Sequence, residues 1–462
     1  MGKQNVIAIF DVGKTNKKLF LFDENYQIVF EKSARFFETV DEDGDPCENL
    51  ESLRLSIFDS LREVFRLSQF NIKAINFCSY GASFVYLNEE RRAFAPLYNY
   101  LKVYPENLKE QFYATYGGEE EFSFCTASPV LGSLNSGMQL YRLKYERPDL
   151  FRQIKYALHL PQYLSFLISS NVYSDITSIG CHTALWDFKI NDYHFWVKRE
   201  GILEKLAPIF PCDRVVSASF PGSNYSVGIG LHDSSSALIP YLINFQEPFV
   251  LISTGTWCIS LNPFNHSSLT KEELRNDCLS YMTYKAQPVK ASRLFAGYQH
   301  DQEVKKISEY FNQNPARYRS MDFNPEIIAK FESRNISSKQ LQEDKFIPKD
   351  FAEKELSDFE NDEEAYHYLM LDIIGKQYTS TQLVLKGTEV KRIFVDGGFS
   401  KNAIYMNLLA ARFPEMEVFA ASMAQASAVG AALCIHHSWN QKALPSDIIE
   451  LKYFSSPRFP AL

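Results

Sequence analysis

Apolar residues near the N-terminus come in short blocks separated by polar turns. Val6–Phe10, Leu19–Phe22 and Ile28–Glu31 read as three strands, the last two joined by an Asp23-Glu24-Asn25 turn. Leu50–Leu67 switches to helical spacing, Ile72–Phe77 and Phe84–Leu87 switch back to strand, and helix-forming segments follow from about Asn107. Ser128–Arg147 predicts a loop at Pro129 and then a helix stopped by Pro148, with Phe151–Ile168 as further helix. The opening pattern recurs at Pro248–Leu261, where an apolar strand, a small polar glycine turn and a returning strand suggest a duplicated α/β unit. Residues 312–364 are charged and aperiodic, as expected of inserted helices and surface loops. Arg392–Gly398 predicts a third strand ending in an acid and glycines. Ala403–Arg412 and Gln425–Ile435 read as helices flanking a short strand at Glu417–Phe419, and Ser455–Leu462 as a tail.

The stretch Asp11 to Lys18 contains Gly13-Lys14-Thr15, which looks like a P-loop. A Walker loop needs a glycine five residues before Gly13, where this chain has Ala8, and it must open a helix. Here the chain turns straight back into Lys18–Phe22, so a β-hairpin tip carrying a carboxylate, a glycine and donors is the better reading.

Composition narrows the partners. The chain has 462 residues, 45% of them apolar, enough for two large lobes, and a formal charge of −8 without a basic block, which argues against a nucleic-acid surface. No window is apolar enough for a membrane span, and the start lacks signal-peptide and myristoylation patterns. The 8 cysteines are scattered singly, with no C-x-x-C pair or zinc spacing, and read as reduced, buried thiols of a cytoplasmic protein.

Taken singly, Asp-x-Gly, Thr-Gly-Thr and Asp-Gly-Gly are ordinary turn chemistry. Their occurrence in this order, each at a strand end, matches the demands of a nucleoside triphosphate. Gly13 lets the backbone approach a phosphate, Thr15 and Asn16 offer donors, and Lys14 or Lys18 offers charge. Asp11 would hold Mg2+ through water. Thr254, Gly255 and Thr256 supply further donors, and Gly397-Gly398 would lie against adenine or ribose with Asn402 as a hydrogen-bonding edge. Asp233, in Gly228–Ala237, precedes a small-residue stretch that reads as a helix N-terminus, where the dipole attracts negative charge; locally it is as well explained as an N-cap.

These motifs together resemble the FGGY carbohydrate kinases of the actin-like ATPase superfamily over almost the whole chain. The first phosphate motif is similar to Asp11–Lys18, the second to Ser253–Trp257, the adenosine motif to Val395–Asn402, and the family's small-residue helix to Ala426–Ala432. The resemblance implies an α/β fold of two ribonuclease H-like lobes with a cleft between them, residues 1–244 and 245–462, and ATP with Mg2+ as cofactors. Asp233 becomes the catalytic base and, with Asp11, a metal-side carboxylate. Ala82, Ser83, Gln139, His232 and Trp257 become substrate contacts, since sugar pockets pair an aromatic face with a few polar groups. Asp175 and His182 form a rival acid–base pair that the family uses structurally. Glycerol is disfavoured because Gly81-Ala82-Ser83 stands where glycerol kinases carry Gln-Arg-Glu. The Gly-Thr-Trp turn is similar to that of rhamnulose and fuculose kinases, which implies a deoxy-ketohexose. Lys14 departs from the small hydroxyl residue usual in the first turn. The expected partner is a small sugar, with no nucleic acid or membrane, in a homodimer. A sugar-independent ATPase or phosphatase and a non-catalytic nucleotide or sugar sensor remain the alternatives.

Overall fold

The computed structural model describes residues 2–14, 16–34, 37–221, 224–336, 350–423 and 425–455. Thr15 and most of the expected tail lie outside the described residues. Among them, no helix is long and apolar enough to cross a membrane.

Two seven-stranded sheets organise the chain. In the first, Gln4–Val12 pairs antiparallel with Lys17–Asp23, which pairs antiparallel with Ile28–Ala34. On its other side Gln4–Val12 lies parallel to Phe70–Ser79, which is followed by Ser226–Gly228 and, further along, Leu231–His232. In the second, Phe249–Thr254 pairs antiparallel with Cys258–Asn262 and parallel with Arg392–Gly397, and Glu417–Ser422 continues the parallel side. Each sheet is thus a hairpin with parallel strands added beside its first strand, which is the duplication expected from the sequence. Val6–Phe10 and Phe249–Ile252 are buried at consecutive positions, as they must be in central strands covered on both faces. Asp11 sits opposite Lys18 in the first hairpin, so Gly13-Lys14 is a hairpin tip and not the start of a helix.

Phe151–Ile168 corrects one expectation. The chain forms a helix at Pro148–Gln153, a strand at Tyr156–His159 paired antiparallel with Phe84–Leu87, and a second helix at Leu160–Ser169 with a proline in its first turn. Tyr156–Leu160 is too evenly apolar for periodicity to separate strand from helix, and the distant partner strand decides it. Three further strands, Cys278–Met282, Pro288–Leu294 and Glu450–Phe454, complete the second sheet without having been expected.

The two halves interlock through a pair of helices. The helix Asp233–Asn244, from the first half, puts Leu238 and Tyr241 against Phe249, Leu251 and Phe394 of the second sheet. The helix Ala426–Cys434, from the second half, puts Ala428, Ala431 and Leu433 into a core with Ile7, Ile9 and Phe20 of the first. The helices cross at Gly430, where a Cβ would overlap the backbone carbonyl of Ser236. Only glycine permits that approach, which accounts for the small-residue run.

Candidate active site

Parallel pairing brings several strand ends to one edge of the first sheet. Asp11 is level with Cys78, Leu231 with the same Cys78, and His232 with Ser79. Open α/β sheets bind ligands at such carboxyl ends. The Asp11 carboxyl is held above its usual range, first by burial and further by the charge of Asp233, so the two carboxylates sense each other. Ser427, on the crossing helix, donates to Asp11 Oδ2 at 2.7 Å, and Ser236 donates to the Ser427 carbonyl at 2.7 Å. Asp11 is thereby linked to the helix that Asp233 begins.

Asp233 Oδ1 accepts from the Ser234 backbone N–H at 2.6 Å and from its hydroxyl at 3.2 Å, and lies 3.4 Å from His232 Nε2. No described group donates to Oδ2, and the side chain is 35% exposed. Behind it, the buried His232 ring stacks on Tyr281 at 5.5 Å and faces His182 at 6.1 Å. Gly81 admits this ring, since a Cβ there would stand 2.8 Å from His232 Cδ2. Burial draws both histidines below the usual range, well below for His182, where neighbouring His232 adds to it; Asp233 opposes the shift at His232. Both rings are therefore neutral near pH 7, each with one donor and one acceptor nitrogen. Both nitrogens of His182 and Nδ1 of His232 are buried without a protein partner.

At the first hairpin tip the Gly13 N–H bonds the Asn16 carbonyl at 2.9 Å. Lys14 Nζ lies 3.6 Å and Lys17 Nζ 3.1 Å from the buried Glu48 carboxylate, which also accepts from Tyr80 OH at 2.8 Å. Lys18 pairs with Glu31 at 2.6 Å. Glu48 had no motif to mark it, and Lys17 had no expected role within Asp11–Lys18; only the fold reveals them as the hub behind the tip.

The second and third turns form one unit. The Thr254 hydroxyl, expected to face phosphate, donates to the Asp396 carbonyl at 2.5 Å and accepts from the Phe399 N–H at 3.0 Å; it stitches the two turns together. Gly398 N–H bonds the Thr254 carbonyl at 3.0 Å. Gly397 has φ +91°, and a Cβ there would overlap the Thr254 carbonyl oxygen. Gly255, Thr256, Gly397 and Gly398 are exposed. Asn402 is buried with both side-chain polar atoms engaged: its carbonyl caps the helix Ala403–Arg412 through the Tyr405 N–H, and its amide donates to Tyr366 OH at 2.7 Å. It braces the adenosine turn from behind.

Of the expected sugar contacts, Trp257 is 40% exposed, packs on Phe295 at 4.4 Å and carries the Arg293 guanidinium 5.1 Å over its ring. Ala82, Ser83 and Gln139 are buried. The Ser83 hydroxyl donates to the Tyr98 carbonyl at 2.9 Å, and the Gln139 amide to the Ala82 and Ser133 carbonyls at 2.8 and 2.7 Å, so these side chains shape the strand end after Tyr80. Asp175 caps the helix Ile176–Ile179, and Thr177, to which it is hydrogen-bonded, accepts from the His232 N–H at 3.0 Å. No hydrogen bond joins Asp175 to His182 among the described residues, so they do not form an acid–base pair.

This architecture is a two-lobed α/β fold of the kind found in solved carbohydrate kinases. No protein-family model matches the chain. It is similar to rhamnulokinase from Halalkalibacterium halodurans, with 22% identity over 265 residues that cover 55% of this chain and 56% of that protein. The chain spans about half the length, or less, of the curated relatives it matches. In structure it is similar to a carbohydrate kinase from Novosphingobium aromaticivorans, with TM-score 0.78, 22% identity and coverage of 98% of this chain and 97% of that one. It is also similar to Plasmodium falciparum glycerol kinase with ADP, with TM-score 0.71, 15% identity and coverage of 95% and 90%. These likenesses bear out the resemblance to the FGGY carbohydrate kinases.

Proposed function

We propose that the chain transfers the γ-phosphoryl group of ATP to a hydroxyl of a small sugar bound between two lobes, taken as residues 1–244 and 245–462. One observation carries this reading. Asp233 presents an unspent carboxylate oxygen next to His232, whose buried Nδ1, like both nitrogens of the neighbouring His182, has no protein partner. Buried polar groups without partners are rare, and a polyhydroxy ligand supplies what two neutral imidazoles lack. The Gly-Thr-Trp turn points to a deoxy-ketohexose such as rhamnulose or fuculose, and the rhamnulokinase relatives support the first of these.

In this reading the sugar lies over His232 and His182 with Trp257 on its apolar face, and the acceptor hydroxyl gives its proton to Asp233 Oδ2 as its oxygen bonds to phosphorus. The exposed turn at Gly255-Thr256 and the first hairpin tip around Gly13 and Asn16 would line the phosphates without side-chain bulk at the glycines, with Lys14 close by and Gly397-Gly398 against the adenosine. Paired carboxylates at one sheet edge suit a hard divalent cation, so Asp11 and Asp233 would hold Mg2+, which neutralises phosphate charge when bound. The glycine-mediated helix crossing is the natural hinge for closure, which excludes water from the site.

Release of ADP, measured across ketoses, aldoses and polyols, tests the reading. The expected result is turnover that depends on one ketose and is lost in Asp233→Asn. Hydrolysis that no sugar accelerates would instead identify an ATPase, and tight ATP binding without turnover a sensor.

A further inference from the structure

The sequence shows no zinc spacing, yet the fold assembles three metal-ligand types away from the cleft. Cys125 ends the helix Gly118–Thr126, Asp187 lies on the strand Trp186–Asp187, and His194 caps the helix Phe195–Arg199. One ligand atom from each lies within 4.8 Å of the other two. Ligands about 2.0–2.3 Å from a tetrahedral ion stand roughly 3.3–3.8 Å apart, so closing on an ion takes shifts of about an ångström.

Independent contacts hold these elements together. The Phe188 N–H bonds the Cys125 carbonyl at 2.9 Å, and the Phe122 ring packs on His194 at 4.9 Å. Asp187 Oδ1 accepts from the Lys189 N–H at 2.9 Å, which orients the carboxylate. The Cys125 thiol donates to Glu121 Oε1 at 3.6 Å, so a second carboxylate is in reach. Two contacts oppose binding. The Trp196 N–H uses His194 Nδ1 at 3.4 Å, a long bond that gives way if that nitrogen binds an ion or carries the ring proton. The Lys189 ammonium lies 3.0 Å from Glu121, 4.0 Å over the Phe124 ring and against the Cys125 thiol, and must swing out of all three contacts, as its 35% exposure allows. Cys125 is also the one free cysteine that is not fully buried.

We propose that Cys125, Asp187 and His194 bind a zinc-type divalent cation, with Glu121 or solvent completing a tetrahedron. Thiolate with imidazole selects such borderline-soft ions over magnesium and calcium. On binding, the Cys125 thiol gives its proton to solvent, so affinity rises with pH. The ion would staple the helix Gly118–Thr126 to the segment around the Trp186–Asp187 strand. This inference does not depend on the kinase reading.

The test is Co2+ titration of the reduced, chelator-treated full-length protein without nucleotide. One ion per chain is expected, with tetrahedral d–d absorption and a thiolate-to-cobalt charge-transfer band, both displaced by Zn2+. Cys125→Ser should abolish the charge-transfer band, and His194→Gln should weaken binding by at least about tenfold, with native circular dichroism. The other seven cysteines are buried, so a band that survives Cys125→Ser, or no band in the wild type, overturns the proposal. Should Cys125→Ser fail to fold, unchanged affinity in both His194→Gln and Asp187→Asn overturns it equally.

Discussion

The two glycine hairpins occupy matching places in matching sheets, yet they are built from different materials. The first is set among charge: Asp11 precedes the tip, and Lys14, Lys17 and Tyr80 gather on the buried Glu48 behind it. The second has no acid at its tip and is held by backbone against backbone. A Cβ at Gly397 would overlap the Thr254 carbonyl oxygen, and one at Gly297 the Gly255 carbonyl oxygen. One scaffold occurs twice, with different chemistry at its two tips. The first carries carboxylates and lysines at its tip, and the second a neutral, sterically fixed glycine surface.

Removing chemistry from the first half should therefore cost the most activity. Asp233→Asn keeps an acceptor for the Ser234 N–H and removes the proposed base. We expect kcat to fall about 10²- to 10⁴-fold, or roughly 3–5 kcal/mol in the barrier, with KM for sugar changing little. Steady-state kinetics of both proteins decides it, and a variant retaining full turnover would remove the proposed division.

Buried carboxylates also give the first half a pH signature. Burial lifts Asp175 to about 6. Between its unfolded value near 4 and that pH the native chain keeps a proton that the unfolded chain has lost, so Asp175 makes stability fall as pH rises through this window, by about 3 kcal/mol in total. Asp175→Asn cannot lose a proton and still offers an acceptor to the Thr177 and Ser178 N–H groups. Urea unfolding of both proteins at pH 4 to 7 should show the variant gaining about 3 kcal/mol relative to wild type across that range.

The turns of the second sheet should be sensitive to bulk where the first hairpin tip is not. Gly397→Ala forces a side chain into φ +91° and against Thr254, for an expected loss of about 2 kcal/mol. Among the described residues Gly13→Ala meets only the Asn16 carbonyl at 3.1 Å, with ordinary φ, and should cost less than about 1 kcal/mol. Thermal unfolding of the pair compares them directly, and equal losses would break the contrast.

Local signals were legible in the sequence, and long-range partnerships were not. Both hairpins, the strand at Arg392 and the helices after it follow from short apolar runs punctuated by glycine and acid, which depend on near neighbours. The roles inside the site depend on distant ones. Asp11 takes its hydrogen bond from Ser427, 416 residues away, and Tyr281 stacks on His232 from the opposite sheet. Thr254 and Asn402 carry the residue types of ligand donors, but their hydrogen bonds are spent inside the protein. Tyr156–His159 became a strand because Phe84–Leu87 lies beside it. Motif spacing recovers where a site is; which side chains remain unspent there is a property of the packed structure.

The smallest expected effect separates the two lysines of the first tip. Lys17 approaches Glu48 at 3.1 Å with 8% of its side chain exposed, while Lys14 stands at 3.6 Å and 26%. Breaking a buried pair strands a charge, whereas loosening a half-exposed one costs little. Lys17→Met should therefore lower the unfolding temperature clearly, and Lys14→Thr should leave it nearly unchanged because Lys17 and Tyr80 still hold Glu48. If Lys14 serves the phosphates, Lys14→Thr should raise KM for ATP about two- to fivefold, under about 1 kcal/mol, with kcat within a factor of two and KM for sugar unmoved. A fall in unfolding temperature matching that of Lys17→Met would make Lys14 a structural partner of Glu48 and leave the tip's backbone alone to meet the nucleotide.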